Sequence, residues 1–455
     1  MRLFKAPAAA ALIPPQRLNR IHNWQLLLAA WGLLLCGLMI IVIKTDNAAL
    51  TGKLSLQSFA IGGSYTYIFW MAAVIVLAAG IQLVLIRRQQ DTFLFPLVLM
   101  LASVGLCEIA RLKPALLARQ FEWLFLSMLA LLVVMRLWPK IHEWLEYPYI
   151  LGVVCIVLLG LPLIFGTEIG GSRNWIVFGP VSLQPSEFGK LLIIFFLAAY
   201  LSDHRRVLTL PAHRFLLLQL PPLRFIAPLI TIWGFSVLMF VVERDLGSAL
   251  LFFGMAVLMT YMATGSKSYV FLALSFFGLA AVISYMAFAH VRVRFNIWLD
   301  PWQDPNGMAY QVVQSLFSFG TGGVWGTGFG FGHPGFIPEV HTDFIYAAIA
   351  EELGLIGAMM VLLCYVLFFW RGIRLALSLR SEPDALLAAG GATLMLLQAF
   401  IIIAGVTKFL PLTGITLPFV SYGGSSLLSG FILLGILISL SGESHANTTK
   451  EPFDG

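Results

Sequence analysis

Residues 336–354 read FIPEVHTDFIYAAIAEELG and lead into an apolar run that continues to Trp370. Glu339, His341, Asp343, Glu351 and Glu352 stand on the threshold of that run. A helix beginning near Asp343 places Asp343, Ala347 and Glu351 on one face, because residues four apart stack along a helix. At about 1.5 Å of rise per residue, Glu351 then sits about 12 Å deeper than Asp343. An acidic side chain at that depth in a bilayer costs about 2.5–3.5 kcal/mol on insertion scales, so it must face a cavity or a partner. Two readings stand. In one, Thr342 or Asp343 caps the helix and the acids suit the positive end of its dipole. In the other, Asp343 is a working carboxylate at the mouth of a polar cavity and Glu351 is a buried partner. Capping accounts for Asp343 comfortably and for Glu351 poorly.

The composition says what surrounds such a stretch. Of 455 residues, 59% are hydrophobic and 11% are charged, and the mean hydropathy is +0.90. These values describe a polytopic membrane protein and exclude a large soluble enzyme. The net charge of +6 is most simply topological, with basic residues collected in cytoplasmic loops. No basic domain is present, so a nucleic-acid partner is not expected. Cys36, Cys107, Cys155 and Cys364 all lie inside apolar runs and form neither a disulfide framework nor a zinc set. The first apolar run follows a basic, Pro-containing start and has no clear cleavage site, so a retained helix is expected there.

Apolar runs long enough to span occur near 24–43, 68–86, 92–110, 121–138, 148–165, 184–201, 225–242, 247–264, 269–288, 343–370, 387–409 and 417–440. The expected fold is therefore an all-α, polytopic transmembrane helix bundle of about twelve spans, with both termini on one side. The larger share of the 28 Lys and Arg residues falls on the segments that are inside when the N-terminus is cytoplasmic. The loop at Arg111, Lys113 and Arg119 is the basic exception. In this topology 202–224 is the main cytoplasmic connection and 289–342 is one long outer loop. That loop contains an amphipathic piece, MAYQVVQSLFSFG, and a Gly-rich run, TGGVWGTGFGFGHPG, and is long enough to carry short interfacial helices. Residues 441–455 read as a short disordered tail.

Several polar motifs gather at the outer ends of the spans. GSRNWIVFGPVSLQPSEFGK (171–190) carries Arg173 and then Glu187 and Lys190, which are i,i+3 and can pair on one helical face. They are either a buried ion pair or a charged lining for an anionic substrate, with Arg173 above it. ERDLGS (243–248) carries Asp245 at a helix end, as a cap or a cavity acid. The Gly-rich run 320–335 has no preceding strand and no following GK[ST], so it is not a P-loop. TKFLPLTGITLPFVSYGGSS (407–426) opens the last span with two prolines and paired glycines, a broken backbone of the kind that lines a cavity. No cofactor is required by any motif; a divalent cation such as Mg or Mn, held by Asp343 or Asp245, is compatible with hard oxygen ligands.

Read together, GSRNW…FGP…QPSEFGK, DPWQDPNGMAYQVVQSL, FIPEVHTDFIYAAIAEELG and LPFVSYGGSS, in that order, resemble the RodA/FtsW (SEDS) family of cell-wall polymerases. The resemblance covers roughly 92–440. It implies a core of ten spans, so 1–91 would hold an N-terminal tail and two additional helices. It implies a peptidoglycan glycosyltransferase that polymerises lipid II at the outer face of the bacterial cytoplasmic membrane, in elongation or division. It also implies a class B penicillin-binding protein as the transpeptidase partner, besides lipid II and membrane lipids.

The catalytic aspartate of the family's HTDF motif falls on Asp343. The polar cavity falls on Glu187, Lys190 and Asp245, and Arg173, His341, Lys408 and Ser425 join them as candidate substrate-binding residues. Two departures stand out. The DLG motif usually follows Gln-Pro but here follows Glu243-Arg244, and Ile402 and Lys408 replace residues that are often Asn and Gly. The implied chemistry suits the residues: a carboxylate takes a proton from one sugar hydroxyl, which attacks the anomeric carbon of another lipid-linked sugar. Basic groups stabilise the departing pyrophosphate. A lipid II flippase and a non-catalytic scaffold for the transpeptidase are the rival readings; many spans, buried charge and broken helices are also transporter features.

Overall fold

The computed structural model describes residues 18–45, 59–61, 64–169, 172–179, 181–209, 213–215, 218–220, 222–243 and 245–448. In chain order the elements are α1 (Leu18–Thr45), α2 (Thr66–Arg87), α3 (Leu94–Leu112), α4 (Leu117–His142), α5 (Pro148–Phe165), β1 (Thr167–Ile169), β2 (Ser172–Phe178), β3 (Val181–Leu183) and α6 (Pro185–Thr209). There follow β4 (His213–Phe215), β5 (Leu218–Leu220), α7 (Leu223–Val242), α8 (Leu246–Thr264), α9 (Lys267–Ala287), α10 (Ala289–Leu299), α11 (Tyr310–Gly322), α12 (Ile345–Ser378), α13 (Glu382–Val406) and α14 (Gly424–Thr448).

Among the described residues, eleven helices are long and apolar enough to cross a membrane. The twelfth expected span coincides with α7, whose counted apolar piece is Arg224–Ser236. The fold is thus the all-α polytopic bundle expected from hydropathy. Two details differ. The 171–190 motif does not run as a loop into its span: β1, β2 and β3 form an antiparallel three-stranded sheet before α6 begins. Helix α14 continues to Thr448, into the stretch expected as a tail; residues 449–455, like the N-terminal 1–17, lie outside the described residues.

The chain divides into two units. The first comprises Met1–Lys5, Leu137–Gln303 and Phe369–Ile415, and is built around α6, α8 and α13, which pack on one another. Of the apolar window of α6, 83% is buried, against 11% for α9. The exposed face of α9, with Phe271, Leu274, Leu279, Val282, Ile283 and Met286, is what lipid contact requires, because the bilayer core is itself apolar. The second unit comprises Ala6–Arg136, Asp304–Phe368 and Thr416–Gly455, with α3 and α14 as its most buried helices.

Within the second unit α12 is broken. Gly354 has φ 69° and ψ −172°, a conformation L side chains rarely adopt. The loop after α11 fills the break. Leu355 N donates to Gly323 O (2.9 Å) and Ile356 N to Val324 O (3.3 Å), in place of the carbonyls one turn back in α12. Those carbonyls are used in turn: Thr327 N donates to Glu351 O (2.9 Å) and Gly328 N to Glu352 O (3.0 Å). A Cβ on Gly354 would lie 2.3 Å from Gly326 N. Irregular backbone at membrane depth is tolerated when protein satisfies it, which is the arrangement here.

Candidate active site

In the first unit, Pro185 opens α6, where a missing N–H costs nothing because the first-turn donors have no intrahelical acceptor. Glu187 follows in the first turn, favoured by the positive end of the dipole. Its Oε2 lies 2.5 Å from Lys190 Nζ, so the i,i+3 pair expected from spacing is formed, with both side chains buried. Lys190 Nζ also donates to Gln398 Oε1 on α13 (3.0 Å). Two partners on two helices hold this ammonium, which is how a buried charge is tolerated.

Asp245 is the N-cap of α8. Its Oδ1 accepts from Ser248 N (2.9 Å), and its Oδ2 accepts from Ser248 Oγ (2.8 Å) and from Asn174 Nδ2 on β2 (2.7 Å). Strand β2 therefore reaches the cap of α8. Asp245 is only 3% exposed. Glu243 beside it is equally buried, and burial followed by the Asp245 charge pushes its carboxyl up to about 8. That shift favours the protonated form, and a protonated Glu has the size and donor capacity of the Gln that the family pattern carries at this position.

Arg173 lies on β2, but its side chain falls outside the described residues, as does the whole of Arg244. Lys408 has φ 63°, and the contact described there is through its backbone, Trp298 Nε1 donating to its carbonyl (3.2 Å).

Asp343, His341 and Ser425 belong to the second unit. Helix α12 begins at Ile345, and its first carbonyl acceptor is Phe344 O, which takes Ala347 N (2.9 Å) and Ala348 N (3.3 Å). Asp343 thus stands ahead of the cap position, in a turn, half-buried. The helix starts near Asp343 as expected, at Ile345, with Phe344 supplying the carbonyl that Ala347 N and Ala348 N share. The backbone of this turn is clamped from the LPFVSYGGSS motif. Tyr422 N donates to His341 O (2.9 Å), and Ser421 Oγ donates to Thr342 O (2.5 Å) while accepting from Leu417 N (2.9 Å). His341 is buried with its Nε2 3.7 Å from Glu339 Oε2. Burial lowers its pKa, against the opposing pull of Glu339. The ring is neutral at pH 7 and can accept as well as donate. Ser425 is buried in the first turn of α14.

The residues missed by sequence reasoning are Asn174, Gln398, Ser421 and Tyr422. Asn174, Ser421 and Tyr422 were inside quoted motifs, so the signal was present but not weighted; Gln398 is 208 positions from its partner and nothing local marks it. Glu351 and Glu352 sit beyond the turn as buried partners: Glu351 Oε1 accepts His333 N (2.6 Å), and Glu352 pairs with Arg111 Nε (3.3 Å).

The chain is similar to known proteins along most of its length. Peptidoglycan glycosyltransferase RodA of Mycobacterium tuberculosis is 39% identical over 364 residues, 77% of this chain and 78% of that protein. Stage V sporulation protein E of Bacillus subtilis is 35% identical over 328 residues, 71% of this chain and 86% of that protein. A solved chain, described under structural coordination of polymerization and crosslinking by a peptidoglycan synthase complex, superposes with a TM-score of 0.63 at 28% identity, covering 78% of this chain and 98% of that one. A family model for cell cycle proteins of the FtsW, RodA and SpoVE type matches residues 83–446. With most of its length matched and its bundle shared, this multi-pass membrane protein belongs to the FtsW/RodA/SpoVE family.

Proposed function

We propose that the protein is a peptidoglycan glycosyltransferase that polymerises lipid II, with Asp343 as general base. The observation that carries the reading is the 39% identity to a peptidoglycan glycosyltransferase over 364 residues. The fall of Asp343 on the family's HTDF motif supports its role as the proton acceptor. In the proposed step Asp343 accepts the proton of an acceptor sugar hydroxyl. The hydroxyl oxygen attacks the anomeric carbon of the donor, and the donor's lipid pyrophosphate leaves with the bonding pair. One displacement turns an α-linked donor into a β-linked glycan.

Arg173, Glu187, Lys190, Asp245, His341, Lys408 and Ser425 are proposed as the substrate-binding set, with the cations directed at pyrophosphate. Asp245 accepts three hydrogen bonds, and a divalent cation such as Mg or Mn, held by Asp343 or Asp245, is kept as the candidate cofactor.

The proposed core is 92–440, with an N-terminal tail and two additional helices in 1–91 and a short tail in 441–455. A class B penicillin-binding protein is the proposed partner, supported by the likeness to a chain of a peptidoglycan synthase complex. Both termini are assigned to the cytoplasmic side of the bacterial inner membrane, and 289–342 to the outside, from the distribution of Lys and Arg. In a Cys-free variant, cysteines at the exposed Asn306 and Asp203 should label from outside and inside respectively; the reverse pattern would overturn the topology.

The deciding experiment is polymerisation of lipid II by the purified protein with no other glycosyltransferase present, with and without a chelator. Glycan product is expected. A protein that only moved lipid II, or only recruited a transpeptidase, would give none.

A further inference from the structure

Helix α1 lies outside the residues matched by the family model, and the chemistry proposed above gives it no role. Its buried stripe, Leu27, Ala30, Leu34, Leu38, Ile41 and Val42, recurs every three or four residues and packs along α3. At Gly37 a Cβ would lie 2.4 Å from Cys107 Sγ, so only glycine allows this approach. Asn23 Nδ2 donates to Thr92 Oγ1 near the start of α3. Helix α1 is therefore fixed along its length.

Its last turn carries Lys44. A cation there suits the negative end of the helix dipole, and that alone would be a sufficient bland account. The contacts go further. Lys44 Nζ donates to Gly330 O of the Gly-rich loop, and lies 4.7 Å from the centroid of the Phe331 ring. The same loop is gripped from two other helices. Arg111 Nη2 of α3 donates to Gly332 O (2.9 Å); on α12, Glu352 Oε2 accepts Gly330 N (2.8 Å) and Glu351 Oε1 accepts His333 N (2.6 Å). Buried Glu108 lies in electrostatic reach of Arg111, Glu351 and Glu352, and among the described residues neither of its carboxyl oxygens has a hydrogen-bond partner. Two cations thus serve a region with three carboxylates, and one of the two comes from α1. From His333 the chain passes through the Pro334–Phe336 turn to the His341–Asp343 segment.

We propose that Lys44 is a positioning residue for the polymerase site: α1 is a fixed strut whose terminal ammonium holds loop 326–333, and through it the entry of the Asp343 segment, in one register. The proposal rests on the reading of Asp343 as the base. It is tested on the full-length purified protein with Lys44→Met, which keeps the aliphatic stem and loses the charge, and with Lys44→Arg, which restores a cationic donor.

Amide hydrogen exchange at 330–333 should quicken about tenfold in the Met variant, because the loop opens more often. Its kcat should fall about five- to tenfold with KM within about twofold, the signature of a misplaced base rather than lost substrate affinity. The melting temperature should stay at the wild-type value, and the Arg variant should recover most of kcat. Unchanged exchange would overturn the proposal, as would quickened exchange with unchanged kcat. Equal losses in the Met and Arg variants with a lowered melting temperature would reduce Lys44 to a general structural role and would also overturn it. The exchange measurement does not depend on the chemistry, so it judges the loop anchoring even if Asp343 proves not to be the base.

Discussion

The surroundings of Lys190 in the first unit and of Asp343 in the second are held by different means. In the first, Glu187, Lys190 and Asp245 are buried side chains whose charges meet named partners: an ammonium between a carboxylate and an amide, and a carboxylate under three donors. In the second, the protein holds the backbone around Asp343 by gripping the carbonyls of His341 and Thr342, and leaves the Asp343 side chain half-buried. Full pairing makes a rigid, fixed field, because breaking any member strands a charge in low dielectric. Backbone clamping fixes where the Asp343 segment stands through its main chain.

The sharpest way to break this contrast is to remove half of the buried pair. Glu187→Ala or Lys190→Ala leaves an uncompensated charge and should each cost about 3–5 kcal/mol of stability, while Glu187→Met with Lys190→Met together should cost much less. Chemical denaturation of the three variants reads this directly; a double variant that costs the sum of the two single ones would mean the two groups do not act as a pair. In the other unit, Asp343→Asn should leave the fold and the melting temperature intact and cut lipid II polymerisation about 10²-fold or more, since an amide is a far poorer base. Polymerisation by that variant at the wild-type rate would sink the catalytic assignment.

A finer test lies at Glu243. Its carboxyl is pushed up to about 8, above the ordinary carboxylate range, so the native state binds the extra proton. The stability this contributes is complete below the unfolded value and is lost as pH rises through the folded one. Relative to Glu243→Gln, which cannot titrate, the wild type should lose about 1.4 kcal/mol per pH unit between those two values and hold steady above about 8. Melting curves of both proteins from pH 4 to 9 check this. Parallel curves would mean that the carboxyl of Glu243 titrates alike in the folded and unfolded states.

Hydropathy and local spacing carried most of the fold and half of the site. The spans were legible because a bilayer demands about twenty apolar residues in a row, and Glu187–Lys190 was legible because helical neighbours are three or four apart. The β1–β2–β3 sheet was not: its outer strands are three residues each, too short to show an alternation. Asn174 meets Asp245 across 71 positions, a separation over which no periodicity speaks. The break at Gly354 was hidden as well, because a glycine within EELGLIGAMM leaves the apolar run unbroken. Only the loop that fills the break, arriving from before Asp343, makes the break affordable.

That break ties α12 to the Gly-rich loop. The amides of Leu355 and Ile356 and the carbonyls of Glu351 and Glu352 find their partners in residues 323–328. Bare peptide groups in hydrocarbon each cost several kcal/mol. The bent form of α12 therefore exists in lipid only with the loop closed on it, and any change that opens the loop also favours a straighter helix.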